Sequence, residues 1–205
     1  MESYTTILER ASFEYEDRKS VFIGDAMPVE SENDALKFIN AIKKKYPDAS
    51  HHVYAYVLRD NSIMRFSDDR EPQGTAGMPV LDSIRKNSCT DAVVVVTRYF
   101  GGTLLGTGGL VRAYTAAATG ALNLAKIITY DTYSDYKITL SYSDFQKLQA
   151  KLSELYFRTK DTKYTDSVLV MGNIIKDKAE VFEKKIQETV GGRAKIEYLG
   201  DKFDF

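Results

Sequence analysis

The spacing of apolar residues changes repeatedly along the chain, and each change marks a predicted element. Strands are expected where β-branched and aromatic residues form short runs between polar residues, and helices where apolar residues recur every three or four positions. In the first 127 residues we predict strands at 5–15, 19–26, 53–58, 63–67 and 91–99, and helices at 35–46, 79–86 and 110–126.

Turns and helix ends are also indicated. The polar residues 16–18 and 59–61 predict hairpin turns within the first and second strand pairs. Ser31, followed by Asp34, is the predicted N-cap of the first helix. The unbroken run 93–96 predicts a central strand buried on both faces. The Ala-rich helix after it is apolar nearly all round, so we expect it to be buried.

The region from Ile128 onward has a different order of elements. We predict strands at 130–140, 157–161, 164–175 and 194–199, and helices at 143–156 and 177–190 with a capping box of Ser143 and Gln146. The order β-α-β-β-α-β is that of a ferredoxin-like domain. The predicted fold class is therefore α+β, with an N-terminal α/β domain at 1–127 and a ferredoxin-like domain at 128–205.

Composition narrows the possible functions. The chain has 28 basic and 29 acidic residues, a net charge of -1, so no global field favours nucleic acid or an acidic membrane. Cys89 is the only cysteine, which leaves no intrachain disulfide or zinc cluster. No apolar stretch reaches the ~18 residues of a membrane span. We expect a cytoplasmic protein without membrane contact, cofactor or metal.

Two polar segments adjoin predicted strands. His51 can act as a general base or ligand, or it can satisfy a local hydrogen bond. The acidic loop, residues 65–79, has three carboxylates: Asp68, Asp69 and Glu71. Carboxylate oxygens suit a hard cation such as Mg²⁺, but the spacing is not that of an EF-hand. The alternative is a hydrogen-bonded loop that caps the next helix, with nearby arginines neutralising the carboxylates.

A third segment, the glycine loop of residues 101–109, has five glycines and no charge. Its backbone N–H groups and the following helix N-terminus could bind an anion, although it lacks the Rossmann and P-loop patterns. Alternatively, its glycines let the Ala-rich helix approach the sheet. The predicted ligand-binding residues are Arg98, Tyr99, Phe100, Gly101, Gly102, Gly106, Thr107, Gly108, Gly109 and Arg112, with His51, Asp68 and Asp69.

The arginines beside the glycine loop have two interpretations. Arg98 and Arg112 could contact phosphate or carboxylate, while Tyr99 and Phe100 could stack on a base. Alternatively, Arg98 pairs with Asp68 or Asp69 and locks the two loops together.

Long ordered blocks of this sequence resemble the bacterial members of the IMPACT family. The resemblance spans about residues 15–125, and such joint occurrence is more specific than a short motif. Its blocks are 45–51, 54–56, 65–69, 71–72, 74–77, 93–102 and 105–114. Three positions depart from the family: Arg70 and Gln73 stand where Gly and Ser are usual, and Leu104 where Lys is common.

The resemblance implies both fold and function. It implies an N-terminal domain similar to the second domain of a small-subunit ribosomal protein. The C-terminal domain would be akin to one near the end of elongation factor G. Eukaryotic relatives act in translational control by competing for a regulator of the general-control kinase. We therefore expect a non-enzymatic regulator, active in translation or stress response, that binds RNA, the ribosome or a translation-associated protein.

Two alternatives stay open. A hydrolase could act on a peptide, ester or phosphoester through His51 and the carboxylates of the acidic loop, with or without Mg²⁺. These groups would have to converge in one pocket. A purely protein-binding module would instead show a contiguous apolar surface patch in place of a basic groove.

Overall fold

A computed structural model describes residues 2–59 and 63–205, so the predicted turn residues Asp60 and Asn61 lie outside the described residues. The strands are β1 Tyr4–Ile7, β2 Ala11–Asp17, β3 Ser20–Pro28, β4 His51–Val57, β5 Met64–Ser67, β6 Ala92–Tyr99, β7 Ile127–Leu140, β8 Arg158–Tyr164, β9 Val168–Ile175 and β10 Lys195–Asp204. The helices are α1 Glu32–Lys45, α2 Gly77–Lys86, α3 Gly106–Leu124, α4 Tyr142–Glu154 and α5 Ala179–Val190.

The chain forms two compact units, one of residues 4–129 and one made mainly of residues 130–205. The N-terminal unit has an antiparallel sheet in the order β2-β3-β6-β4-β5. Helix α1 packs on one face of this sheet, and α2 and α3 pack on the other. Strand β6 is central: Val93 and Val95 face α1, whereas Val94 and Val96 face α2 and α3. The predicted burial of this strand on both faces is confirmed.

Helix α3 lies very close to the sheet. Four of its five alanines are fully buried, and a Cβ added at Gly24 of β3 would lie 2.4 Å from the carbonyl oxygen of Ala117. Within α3, a Cβ added at Gly120 would lie 2.2 Å from Cδ1 of the Phe13 ring. The approach therefore depends on Gly24 and Gly120, and the prediction that glycines of the glycine loop permit it was wrong. The buried, Ala-rich character of α3 is confirmed.

The strands and helices predicted for the first half of the chain are present, but several begin or end a few residues away from the predicted positions. Ser31 caps α1 as predicted, since its Oγ accepts a hydrogen bond from Asp34 N at 3.2 Å. The extended run 5–15 is interrupted between β1 and β2. The β2–β3 turn lies at Arg18 and Lys19, both with positive φ, one residue later than predicted. Helix α2 begins at Gly77, two residues before its predicted start at Pro79. Pro79 therefore lies in the first helical turn, where proline is tolerated.

The C-terminal unit confirms the order β-α-β-β-α-β. Strands β8, β9, β7 and β10 lie side by side in that order and pair antiparallel. Helices α4 and α5 contribute Phe145, Leu148, Phe182 and Ile186 to the core of this unit. The fold is α+β, as expected. Within the described residues, no helix has the length and apolar character needed to cross a membrane.

Several boundaries in this unit differ from the sequence prediction. The cap of α4 is Ser141, whose Oγ accepts from Asp144 N at 3.1 Å, so the capping box at Ser143 and Gln146 was wrong. Strand β8 runs to Tyr164, and residues 165–167 form the turn into β9. Strand β10 continues to Asp204, past a register shift between Tyr198 and Gly200. It does so because residues 131–139 of β7 pair with both parts of β10.

Candidate functional site

A buried ion pair lies at the end of the central strand β6. Arg98 Nη1 donates to Glu71 Oε1 at 2.6 Å, and the two side chains are only 6% and 4% exposed. The pairing joins β6 to the acidic loop, as one interpretation required. The predicted partners of Arg98, Asp68 and Asp69, were wrong, because Glu71 is the carboxylate that pairs with it. The guanidinium also lies near two aromatic rings, 5.4 Å from the Phe22 centroid and 5.6 Å from that of Phe100.

Tyr114 of α3 completes the buried cluster. Its hydroxyl donates to the same Glu71 oxygen at 2.7 Å. Burial and the negative charge of Glu71 raise the pKa of Tyr114 far above its ordinary value, so the hydroxyl stays a donor. The sequence analysis missed this residue. The available signal was a tyrosine inside an Ala-rich buried helix, since a buried hydroxyl usually needs a partner.

His51 lies on β4 directly opposite Arg98 in the β4–β6 register. Its Nδ1 is 2.8 Å from the Asp69 carbonyl oxygen, and because a carbonyl only accepts, Nδ1 carries the proton. Its Nε2 lies 3.7 Å from Glu71 Oε1. His51 therefore belongs to the cluster. The neighbouring His52 faces the other side of the sheet, and its Nε2 bonds to the Tyr46 carbonyl oxygen at 2.9 Å.

The other two carboxylates of the acidic loop have structural partners. Asp68 accepts hydrogen bonds from three backbone N–H groups: that of Gly74 in the acidic loop, and those of Ala76 and Gly77 at the start of α2. Asp69 Oδ2 accepts from His52 N at 2.7 Å. The loop thus caps the following helix, which confirms the structural interpretation of this segment. In the described part of the chain, no group of three His, Cys, Asp or Glu is placed to hold a metal ion.

A cleft of about 450 Å³ opens above the ion pair. Polar groups of its lining come from His51, Glu71, Arg98 and Thr107, and the rest is largely apolar: Pro72, Phe100, Leu104, Leu105, Gly106 and Leu110. Leu104 is 81% exposed and Phe100 is 50% exposed. The cleft thus combines exposed apolar side chains with a buried polar floor.

The glycine loop is shorter than predicted, since Gly106–Gly109 form the first turn of α3. Gly106 has a φ of +73°, a conformation that favours glycine at this helix start. A Cβ at Gly101 would lie 2.1 Å from the Lys19 carbonyl carbon, so Gly101 is required for packing.

Only some of the predicted ligand-binding residues line the cleft. These are His51, Arg98, Phe100, Gly106 and Thr107. Tyr99 lies on the α1 face of the sheet, because successive residues of β6 alternate between the two faces, and Arg112 is exposed on α3. The other predicted residues outside the lining are Asp68, Asp69, Gly101, Gly102, Gly108 and Gly109.

Comparison with known proteins agrees with this architecture. The Impact N-terminal domain model matches residues 18–122, and a domain of unknown function, DUF1949, matches residues 138–193. A solved structure described as that of a hypothetical protein has a TM-score of 0.60 and 29% identity, and the match covers 98% of both chains.

Curated relatives extend over nearly the full chain. IMPACT family member YvyE of Bacillus subtilis is 34% identical, with 96% of this chain and 91% of the relative covered. IMPACT family member YigZ of Escherichia coli is 30% identical, with 96% and 98% covered. The Protein IMPACT homolog of Dictyostelium discoideum is 34% identical over 94 residues, 44% of this chain and 27% of that protein. This chain belongs to the IMPACT family.

Proposed function

We propose that this chain is a non-enzymatic regulatory protein linked to translation, and that it binds a partner protein through the cleft above Arg98. The observation that carries the proposal is the exposed apolar wall of Leu104 and Phe100 beside a buried polar floor. Apolar side chains around a concave polar floor are typical of sites that bind another molecule. The link to translation comes from the role that the family resemblance implies.

A protein partner fits this cleft better than RNA does. RNA-binding surfaces present clustered, accessible Lys and Arg side chains to the phosphates. Among the described residues that line the cleft, only Arg98 carries a guanidinium, and Glu71 neutralises it. Leu104 also replaces the Lys that is common in the family at this position. The contiguous apolar surface is the feature expected of a protein-binding module.

The hydrolase alternative has less support. The carboxylates of Asp68 and Asp69 already accept hydrogen bonds from backbone N–H groups of the acidic loop, α2 and β4. Of the residues that this alternative requires, only His51 and Glu71 line the cleft. Glu71 already accepts hydrogen bonds from Arg98 and Tyr114, which favours a structural role for its carboxylate.

Photo-crosslinking in cells tests the proposal. A benzophenone amino acid replaces Leu104 in one variant and Leu124, an exposed residue at the far end of α3, in a control variant. We expect a discrete adduct from position 104 that protease removes and nuclease does not, with a translation-associated protein identified by mass spectrometry. A nuclease-sensitive adduct would instead assign the cleft to RNA.

A further inference from the structure

We propose that the cleft binds the C-terminal carboxylate of a partner protein whose last residue is apolar. This inference rests on the proposed function, because it names the part of the partner that enters the cleft. It follows from the donors and the apolar side chains that line the same cleft and from the incomplete hydrogen bonding of Arg98.

The first set of donors is the start of α3, a helix of 19 residues. Its N-cap residue, Leu105, has no side chain that can cap the helix, and the first turn contains no acidic residue. No acceptor among the described residues takes the N–H groups of Gly106, Thr107 or Gly108. Such a helix end carries partial positive charge and donors for an anion. Gly106 and Thr107 themselves line the cleft.

The second, independent observation is Arg98. Its side chain is only 6% exposed, yet among the described residues only Nη1 has a hydrogen-bond partner, and the buried Nε has none. An unpaired buried donor is unfavourable, and such groups in native proteins usually have a partner. Nε itself is enclosed, but Arg98 lines the cleft and its Nη2 has no partner among the described residues, so a bound carboxylate can supply an acceptor to Nη2.

The charge of Glu71 does not oppose this ligand. The carboxylate of Glu71 accepts from Arg98 Nη1 and from the Tyr114 hydroxyl, so the ion pair contributes no net charge to the cleft. The positive field that remains comes from the α3 N-terminus and from exposed Arg18, whose Nη1 donates to the Leu104 carbonyl oxygen at 3.4 Å. Glu71 also holds the guanidinium in place, which reduces the entropy that Arg98 loses when it binds an anion.

The apolar lining indicates a chain end and not a free phosphate. Phe100, Leu104 and Leu110 line the same cleft as Gly106 and Thr107, so an apolar side chain next to the carboxylate can be buried there. Inorganic phosphate has no apolar group to bury there. Capture of a terminal carboxylate by backbone N–H groups, with a pocket for the last side chain, is a known mode of peptide recognition.

A titration of the ¹⁵N-labelled full chain tests this inference. The probes are a blocked Gly/Ser hexapeptide ending in Leu with a free carboxylate, its C-terminal amide, and inorganic phosphate. We expect the free acid to shift the amide signals of Gly106, Thr107 and Gly108. We expect the amide to bind roughly tenfold to hundredfold more weakly, because hydrogen bonds to a charged group are lost. Phosphate should bind more weakly than the free acid.

A matched pair of variants isolates the backbone donor. Thr107→Pro removes one N–H group from the first turn of α3, where proline is tolerated, whereas Thr107→Ala keeps it. We expect Thr107→Pro to weaken binding of the free acid at least fivefold, and Thr107→Ala to bind like the parent chain. Thermal unfolding of both variants verifies that they are folded. Arg98 is left intact because its loss strands Glu71 in the interior.

The possible results separate this inference from the proposed function. Equal binding of acid and amide, or binding of neither, overturns the carboxylate site, as does phosphate binding as tightly as the acid. Equal binding by Thr107→Pro and Thr107→Ala overturns the role of the α3 donors. A protein adduct at position 104 together with any of these results leaves the proposed function standing. A nuclease-sensitive adduct together with acid-selective binding overturns the proposed function alone.

Discussion

The Arg98–Glu71 pair of the N-terminal unit and the Arg193–Asp144 pair of the C-terminal unit differ in how completely they are bonded. In the C-terminal unit, Arg193 donates to both oxygens of Asp144, from Nε at 3.0 Å and from Nη2 at 2.6 Å. Arg193 is 58% exposed, so its remaining donors reach water. In the N-terminal unit, Arg98 is buried, uses one donor and has a cleft above it.

This difference separates a structural pair from a pair that can also receive a ligand. Asp144 caps α4 together with Ser141, and Arg193 stabilises that cap. All donors and acceptors there have a partner or face solvent. Arg98 is nearly buried and lines a cleft, and its hydrogen bonding stays incomplete. Incomplete bonding of a buried charge is unfavourable in the free protein, and a ligand can remove that cost.

The largest expected effect comes from Arg98→Ala. The change leaves Glu71 buried without its counter-ion, so the free energy of unfolding of the N-terminal unit should fall by about 3–5 kcal/mol. Urea unfolding followed by amide signals of each unit measures it. We propose that the two compact units fold independently, so the signals of β9 should keep their unfolding midpoint. Replacing the whole cluster, Arg98→Met with Glu71→Leu and Tyr114→Phe, should recover much of the loss, because no buried polar group is then left without its partner.

A smaller loss is expected from Tyr114→Phe. The change removes one of the two hydrogen bonds to Glu71 and keeps the ring, so the free energy of unfolding should fall by about 1.5–3 kcal/mol. Chemical denaturation measures it, with Tyr142→Phe as the control, because the Tyr142 hydroxyl bonds to an exposed carbonyl group. A loss as small as that of the control would contradict the buried role of Tyr114.

The Arg193–Asp144 pair should contribute to the stability of the C-terminal unit at acid pH. The hydrogen bond from Arg193 lowers the pKa of Asp144 from 3.8 to about 2, with a further contribution from Ser141. The folded state therefore binds fewer protons than the unfolded state, so this stabilisation is complete above about pH 4 and is lost as pH falls through about 2.

The test of this pair is Arg193→Ala. The acid-unfolding midpoint of the C-terminal unit should move to higher pH, because the pKa of Asp144 then returns toward its ordinary value. The β3 and β6 amide signals of the N-terminal unit serve as the internal control and should not move. An unchanged midpoint for the β9 amide signals would show that the Arg193 contact contributes nothing to folding.

The smallest effect is expected from Arg112→Ala. Arg112 is exposed, so the free energy of unfolding should stay within about 0.5 kcal/mol of the parent value. If RNA were the ligand and Arg112 contacted a phosphate, the salt dependence of RNA binding would weaken by close to one unit in log–log slope. We expect no such change, since the proposed partner is a protein.

Local sequence patterns were enough for most of the elements. The helical spacing after Ser31 located α1 and its cap, and the alternation beyond Ile128 predicted the order β-α-β-β-α-β. Both depend on contacts within a few residues, which the sequence displays directly. Patterns were less informative at helix starts such as Gly106, where glycines have low helix propensity and tertiary packing of α3 outweighs it.

The sequence by itself determined which segments could form a site, and only the tertiary structure decided which residues form it. Asp68, Asp69 and Glu71 are equivalent in sequence, since all are carboxylates in one loop. The β4–β6 register places His51 opposite Arg98, and the packing of α3 brings the Tyr114 hydroxyl to Glu71, 43 residues away along the chain. Partners so distant in sequence leave no local pattern, because their contact depends on strand register and helix packing.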